Sequence, residues 1–340
     1  MTEQILRLID GHAETDHAHS EDYLLEVRNV KMYFPITGGV LKKRVGEVKA
    51  VDDVSFSIKK GETFGLVGES GCGKSTTGRV IMRLYEPTEG AIIFDGKNIS
   101  NIKGERLRQM RQNFQMVFQD PFSSLNPRMN IGSIIGEPLA VNTKISQADL
   151  KDRVDHLLEV VGLPRDAAFK YPHEFSGGQR QRIAIARALS LNPKLMVLDE
   201  AVSALDVSIQ AQIINLLDEL REEFGLSYLF ISHNLSVVKH VSHQVGVMYL
   251  GRMVEVAPRS SLYHTPLHPY SESLLSAAPE ASRKVKRNRI ILSGDVPNPA
   301  NPPSGCAFHT RCPKAMEQCK QERPELREIR SQHFVACHLY

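Results

Sequence analysis

From residue 24 onward, apolar and polar positions alternate. Leu25, Val27 and Val30 sit among polar neighbours, and Val51, Val54, Phe56 and Ile58 repeat the period of two, so both segments predict strands. Residues 35–48, with a Gly-Gly pair and the basic run Lys42-Lys43-Arg44, predict a loop between them. Lys60-Gly61 marks a turn, and Thr63–Val67 is a short apolar strand that feeds a glycine-rich loop. Val80, Ile81 and Leu84 then predict the apolar side of a helix. The stretch from Phe122 to Tyr171 is less regular, with a helical patch over Val154–Val161. Gln179–Leu191 predicts a helix stopped by Asn192-Pro193, and Leu195–Leu198 a buried strand. Ile209, Ile213, Leu216, Leu217, Leu220 and Phe224 keep the 3.6-residue period of a helix that ends at Gly225. Tyr228–Ile231 predicts another buried strand, and Val245–Leu250 with Met253–Ala257 a hairpin about Gly251-Arg252. Strands alternating with helices predict an α/β domain with a largely parallel sheet.

Two stretches carry chemistry. Gly68-Glu-Ser-Gly-Cys-Gly73-Lys74-Ser75 has the glycine–lysine–serine spacing of a phosphate-binding loop, and it lies between a predicted strand and a predicted helix. The backbone N–H groups of such a loop converge on an anion, and the helix N-terminus adds partial positive charge. Gly68, Ser70, Gly71 and Gly73 shape the loop, Lys74 reaches the β- and γ-phosphates, and Ser75, followed by Thr76, offers a hydroxyl to Mg²⁺. A Cβ at the glycines is expected to block the phosphates. Cys72 reads as a neutral filler within the loop. The second stretch is Leu195–Leu198, which ends in Asp199-Glu200. An acid at a strand end opposite a phosphate loop suits Mg²⁺ binding, and a second carboxylate one residue on suits a base for the attacking water.

Composition narrows the setting. The 340 residues carry 42 Lys plus Arg against 39 Asp plus Glu, a net charge of +3, which gives no electrostatic case for a nucleic-acid partner. No run of about 18 apolar residues exists to span a bilayer. Met1–Asp22 is polar, lacks a signal-peptide pattern and reads as a flexible arm, so the expectation is a cytoplasmic chain. Four of the five cysteines, Cys306, Cys312, Cys319 and Cys337, fall near the C-terminus, after a basic stretch (Arg283–Arg289) and a proline-rich one (Pro297–Pro303) that read as a linker. In a cytosolic protein this clustering suggests a metal site before disulfides.

Further motifs point to a family. Phe175-Ser176-Gly177-Gly178-Gln179 resembles the signature motif of ABC (ATP-binding-cassette) ATPases, with Phe in the usual Leu position. Gln119, in Met-Val-Phe-Gln-Asp-Pro, resembles the Q-loop; Ser203–Asp206 resembles the D-loop; and His233 resembles the switch histidine. Phe34, or its neighbour Tyr33, sits where the family stacks an aromatic ring on adenine. Ala201-Val202 stands where many members have Pro-Thr and removes no functional group. The resemblance implies a RecA-like core with an antiparallel β subdomain and a helical subdomain at about 120–190, within an ATPase domain over 23–265. It implies catalytic roles for Glu200, His233 and Gln119, and Mg²⁺ held by Ser75, Gln119 and Asp199. Ser176, Gly178, Gln179 and Asp206 join the nucleotide-binding set, Ser176 and Gly178 reaching ATP held by a partner cassette.

Leu267-His-Pro-Tyr270, Leu274–Pro279 and the segment Pro299–Pro313 resemble the C-terminal module (266–340) of the oligopeptide/dipeptide importers. That resemblance implies ATP-driven peptide import at the cytoplasmic face of the membrane. The implied partners are a second, related ATPase subunit (a homodimer in isolation being the alternative), two integral membrane permeases and, indirectly, an extracytoplasmic peptide-binding protein. It also implies a [4Fe–4S] cluster on the four C-terminal cysteines, with Zn²⁺ as the alternative. Nickel or oligosaccharide import is the alternative within the subfamily. A soluble ABC protein of translation or DNA maintenance is the alternative outside it.

Overall fold

The computed structural model describes residues 22–38, 43–120, 124–277 and 290–340. Residues 1–21 of the expected N-terminal arm (1–22) and the basic linker stretch lie outside them. In chain order the strands are β1 (Tyr23–Gly38), β2 (Lys43–Lys59), β3 (Thr63–Val67), β4 (Glu89–Phe94), β5 (Lys97–Asn98) and β6 (Phe114–Val117), then β7 (Leu195–Asp199), β8 (Ser227–Ile231), β9 (Gln244–Tyr249), β10 (Arg252–Pro258), β11 (Arg327–Arg330) and β12 (His333–Val335). The helices that matter for the site are α1 (Lys74–Ile81), α2 (Ile131–Asn142), α3 (Gln147–Val160), α4 (Gly177–Leu189), α5 (Val207–Phe224), α6 (Leu235–Val241) and α7 (Pro269–Ala277).

Two compact units emerge. The first takes the residues up to Lys59, Thr63–Asn101 and Ser232–Tyr340. It holds an antiparallel sheet in the order β2-β1-β4-β5. Its other strands run β11-β12-β10-β9-β3. In this second group β3 and β9 are parallel, from Phe64 opposite Gln244 to Val67 opposite Val247, and the remaining pairs are antiparallel. The C-terminal module is thus stitched into this unit by β12, whose Val335 lies opposite Glu255 of β10.

The second unit, Lys60–Glu62 with Ile102–Ile231, is built on a parallel ladder, β6-β7-β8. β7 and β8 are buried at every position, as expected of parallel strands covered on both faces. The apolar stripe read from the sequence packs α5 inward through Ile213, Ile214, Leu216, Leu217 and Leu220, and Gly225 ends the helix in the left-handed conformation.

Two local expectations are corrected. The described residues of this stretch, 35–38 and 43–48, are paired rather than loop: Pro35 faces Glu47, Ile36 faces Gly46 and Thr37 faces Arg44. Beyond Lys31, β1 has no pairing to β4, so Pro35 lies on an edge, where a residue without N–H is tolerated. Leu84 is not on the apolar side of α1. The helix ends at Ile81 and Leu84 lies past it, 48% exposed.

Candidate nucleotide site

β3 runs out of the buried core straight into the loop 68–73, and α1 begins at Lys74. The glycines are required here for a reason not visible in the spacing. Gly73 caps α1 at φ 106°, and a Cβ there would lie 2.1 Å from the carbonyl oxygen of Ala50. A Cβ at Gly68 would lie 2.2 Å from that of Met248. The glycines therefore let the loop pack on its own scaffold, before any question of approach to a phosphate. Lys74 is buried, and its Nζ donates to the carbonyls of Gly68 and Glu69, both at 2.9 Å. Ser70 and Gly71 are exposed at the loop tip, while Ser75 and Thr76 are half-buried in the first turn of α1. Cys72 is buried in the loop, and burial raises its thiol pKa.

The same unit carries His233. Ser232 N–H donates to Leu66 O at 3.2 Å, which ties this segment to β3 just ahead of the phosphate loop, and Asn234 caps α6. His233 itself is exposed. Of the two aromatic candidates, Tyr33 is committed: its hydroxyl donates to Asp52 Oδ1 at 2.6 Å, and burial together with that carboxylate raises its pKa. Phe34 meets Tyr85 edge-on, with centroids 5.3 Å apart.

In the second unit, Asp199 closes β7 and is buried. Glu200 follows in the left-handed region, at φ 49°. A non-glycine residue held there is strained, and the surrounding bonds impose it: Glu200 N–H donates to Ile231 O at 2.9 Å, and Ser203 donates to Glu200 O through N–H (3.0 Å) and Oγ (2.9 Å). The turn aims the carboxylate at Gln119, whose Nε2 donates to Glu200 Oε2 at 2.8 Å. These two expected site residues, 81 positions apart in the chain, are thus brought together. Such an amide can orient a carboxylate that must accept a proton from water.

The signature segment forms the start of α4. Ser176 Oγ accepts from Gln179 N–H at 3.4 Å, and Gln179 Oε1 accepts from Ser176 N–H at 3.0 Å, a reciprocal capping box. Both side chains are spent on the cap, and both residues face solvent. Phe175 is buried, which accounts for an apolar residue there. A Cβ on Gly178 would lie 2.5 Å from Ile209 Cγ2 of α5, so this glycine sets the α4–α5 approach. Asp206 is the N-cap residue of α5 but makes no side-chain cap bond, and it is exposed.

Comparison with known proteins decides the family. The ABC transporter family model matches residues 51–203, and the model of the oligopeptide/dipeptide transporter C-terminal region matches residues 254–319. The chain is 60% identical to the oligopeptide transport ATP-binding protein AppF of Bacillus subtilis, covering 95% of this chain and 99% of the relative. The chain belongs to the ABC transport ATP-binding proteins. It is also 47% identical to the dipeptide transport ATP-binding protein DppF of Haemophilus influenzae, over 95% of this chain and 98% of that one. Among solved structures, the ATP-binding cassette MJ0796, a post-hydrolysis dimer bound to ADP and Pi, matches with TM-score 0.61 and 28% identity over 69% of this chain and 98% of that one. CbiO1 of Clostridium perfringens, part of the cbiONQ transporter complex, gives TM-score 0.62 over 72% of this chain and 92% of that one. The ABC ATPase fold with its mixed sheets follows directly.

For this ABC protein, the metal expectation at the C-terminus finds no support in the described residues. Among the described residues, no group of three or more His, Cys, Asp or Glu side chains is arranged to hold a metal ion. The four cysteines are free thiols. Burial first, then the nearby Cys319, Cys337 and Cys312, push the Cys306 thiol up to about 11, and burial likewise raises Cys312 and Cys337. Neither the iron–sulfur nor the zinc expectation gains support from the described residues.

Glu255, Tyr270 and Arg311 each hold the C-terminal module to the ATPase core, a role the sequence did not assign to them. Tyr270 and Arg311 lie within the C-terminal motifs named above, and Glu255 is a lone acid within the apolar strand Met253–Ala257 that must find partners if buried.

Proposed function

We propose that this chain hydrolyses ATP to energise the import of di- or oligopeptides through a membrane ABC transporter. Glu200 accepts the proton of the attacking water and Gln119 orients it. Lys74 and the loop N–H groups hold the phosphates, and His233 senses the γ-phosphate from the segment after β8. Oxygen donors at Ser75, Gln119 and Asp199 suit Mg²⁺, a hard cation, and the ion would neutralise phosphate charge when bound. Phe34, with its hydroxyl-free ring, is the better adenine platform, since Tyr33 is engaged by Asp52. Ser176 and Asp206 are exposed at helix starts, with Gly178 half-buried beside Ser176, where a second cassette could present ATP to them.

The observation that carries the peptide reading is the C-terminal region, matched by a model named for oligopeptide and dipeptide transporters. No helix among the described residues is long and apolar enough to cross a membrane, which fits a subunit acting through two permeases at the cytoplasmic face, paired with a related ATPase subunit. An iron–sulfur cluster on Cys306, Cys312, Cys319 and Cys337 rests on the sequence resemblance alone. Iron and acid-labile sulfide analysis of protein purified without oxygen tests it, and four freely titratable thiols would remove it.

The functional test replaces Glu200 with Gln in the host organism and follows uptake of labelled di- to hexapeptides. Loss of uptake with the protein still present supports the reading. Normal uptake of every length, with ATPase activity of the purified variant lost, would move the substrate to nickel or an oligosaccharide.

A further inference from the structure

Glu69 is the second residue of the phosphate loop, and a carboxylate is an odd tenant there. A loop whose N–H groups gather a triphosphate should repel rather than carry negative charge. The structure shows how that charge is met. Arg311, from the C-terminal module, grips Glu69 with both prongs of its guanidinium: Nη1 to Oε2 at 2.7 Å and Nη2 to Oε1 at 3.2 Å. The Arg311 side chain is 9% exposed and that of Glu69 28%, so the pair is largely shielded from water. A bidentate guanidinium–carboxylate pair fixes direction as well as charge.

The same residue is held at its backbone. Glu69 N–H donates to Tyr270 Oη at 2.9 Å, and Glu69 O accepts from Lys74 Nζ at 2.9 Å. Tyr270 is fully buried, and its ring packs on Tyr249 and Phe308, with centroids 4.8 and 5.3 Å apart. Phe308 in turn starts the turn that carries Arg311, whose N–H donates to Phe308 O at 3.0 Å. Cys306 N–H donates to Cys319 O at 2.8 Å, closing the same segment on the rest of the module. Core and module thus meet on one loop residue through three separate bonds.

We propose that Arg311 is a positioning residue for ATP: by neutralising and anchoring Glu69 it keeps the phosphate loop ready for the triphosphate, so nucleotide affinity depends on the docked C-terminal module. The inference rests on ATP use by this chain and not on the nature of the transported substrate. Arg311 touches no reacting atom in this scheme, so its loss weakens binding while leaving the chemical step at saturating ATP largely intact.

The test uses the purified full-length chain and a fluorescent ATP analogue, with wild-type affinity measured first so that a failure of nucleotide binding in general is seen separately. R311A is expected to raise Kd about tenfold or more and to leave kcat at saturating ATP within about twofold. The double variant E69Q/R311A is expected to bind more tightly than R311A, because the uncompensated carboxylate is gone. A merely structural role for Arg311 would not show that rescue. If R311A does not purify folded, R311Q, which keeps the side-chain stem, is read by the same two criteria. A Kd within twofold of wild type in the folded single variant, or a double variant no tighter than the single, overturns the proposal.

Discussion

Glu255 offers the sharpest test of how the C-terminal module is held. Its side chain is fully buried in β10. Oε1 accepts from Leu267 N–H at 2.8 Å and lies 2.6 Å from His333 Nε2, and Oε2 accepts from His268 N–H at 2.9 Å. One carboxylate therefore satisfies two backbone donors ahead of α7 and a buried histidine of β12. Glu255→Gln keeps the shape. Its amide oxygen can replace Oε1 and keep two partners, but its NH₂ then confronts the His268 N–H. One bond is lost and one buried donor is orphaned, which costs about 1–3 kcal/mol. Glu255→Ala orphans all three partners and leaves a cavity, so its cost is on the order of 3–6 kcal/mol. At roughly 2–4 °C per kcal/mol for a domain of this size, Gln lowers the melting midpoint by several degrees and Ala by at least twice as much. Differential scanning fluorimetry gives the midpoints, and limited proteolysis reports whether the chain after residue 258 opens first. An Ala variant that melts within about 2 °C of wild type with an uncut C-terminal module would refute this account of how the module is anchored.

Three further outcomes are expected. His268 is buried against Phe308, and burial lowers its pKa from the ordinary 6.5 to about 4. The unfolded chain therefore takes up a proton that the folded one refuses. Stability is unaffected above pH 6.5 and falls by about 3 kcal/mol as the pH drops from 6.5 to 4, and urea unfolding of His268→Gln should show that slope removed. Gly73→Ala places a Cβ 2.1 Å from a backbone oxygen at φ 106° and should abolish ATP binding, whereas Gly71→Ala, at φ 77° with nothing within 4 Å, should cost only about 1–2 kcal/mol of stability, and comparing their melting curves and nucleotide binding checks this. Ser176→Ala removes the cap of α4 and should cost about 1 kcal/mol in urea unfolding while also lowering ATPase activity. An unchanged turnover would separate the cap from the nucleotide role.

Elements whose signal is local were legible in the chain itself. The strand–loop–helix around Lys74, the buried strand ending in Asp199-Glu200, the periodic α5 with its glycine stop and the hairpin of β9 and β10 all appear near their expected positions, because each depends on neighbours a few residues away. Tertiary structure decided what no window of sequence contains. Residues 35–38 and 43–48 became strand because β1 and β2 could extend their ladder, not through turn chemistry. The glycines of the phosphate loop answer to carbonyls at Ala50 and Met248, and Gly178 answers to Ile209 on the next helix. The bond of Glu200 to Gln119, the Glu255–His333 pair and the grip of Arg311 on Glu69 join residues 78 to 242 positions apart, and the strained turn at Glu200 is held by Ile231 on the next strand. Periodicity cannot encode such pairs: a charged side chain in a sequence reads as solvated until the fold buries it and a partner must be found.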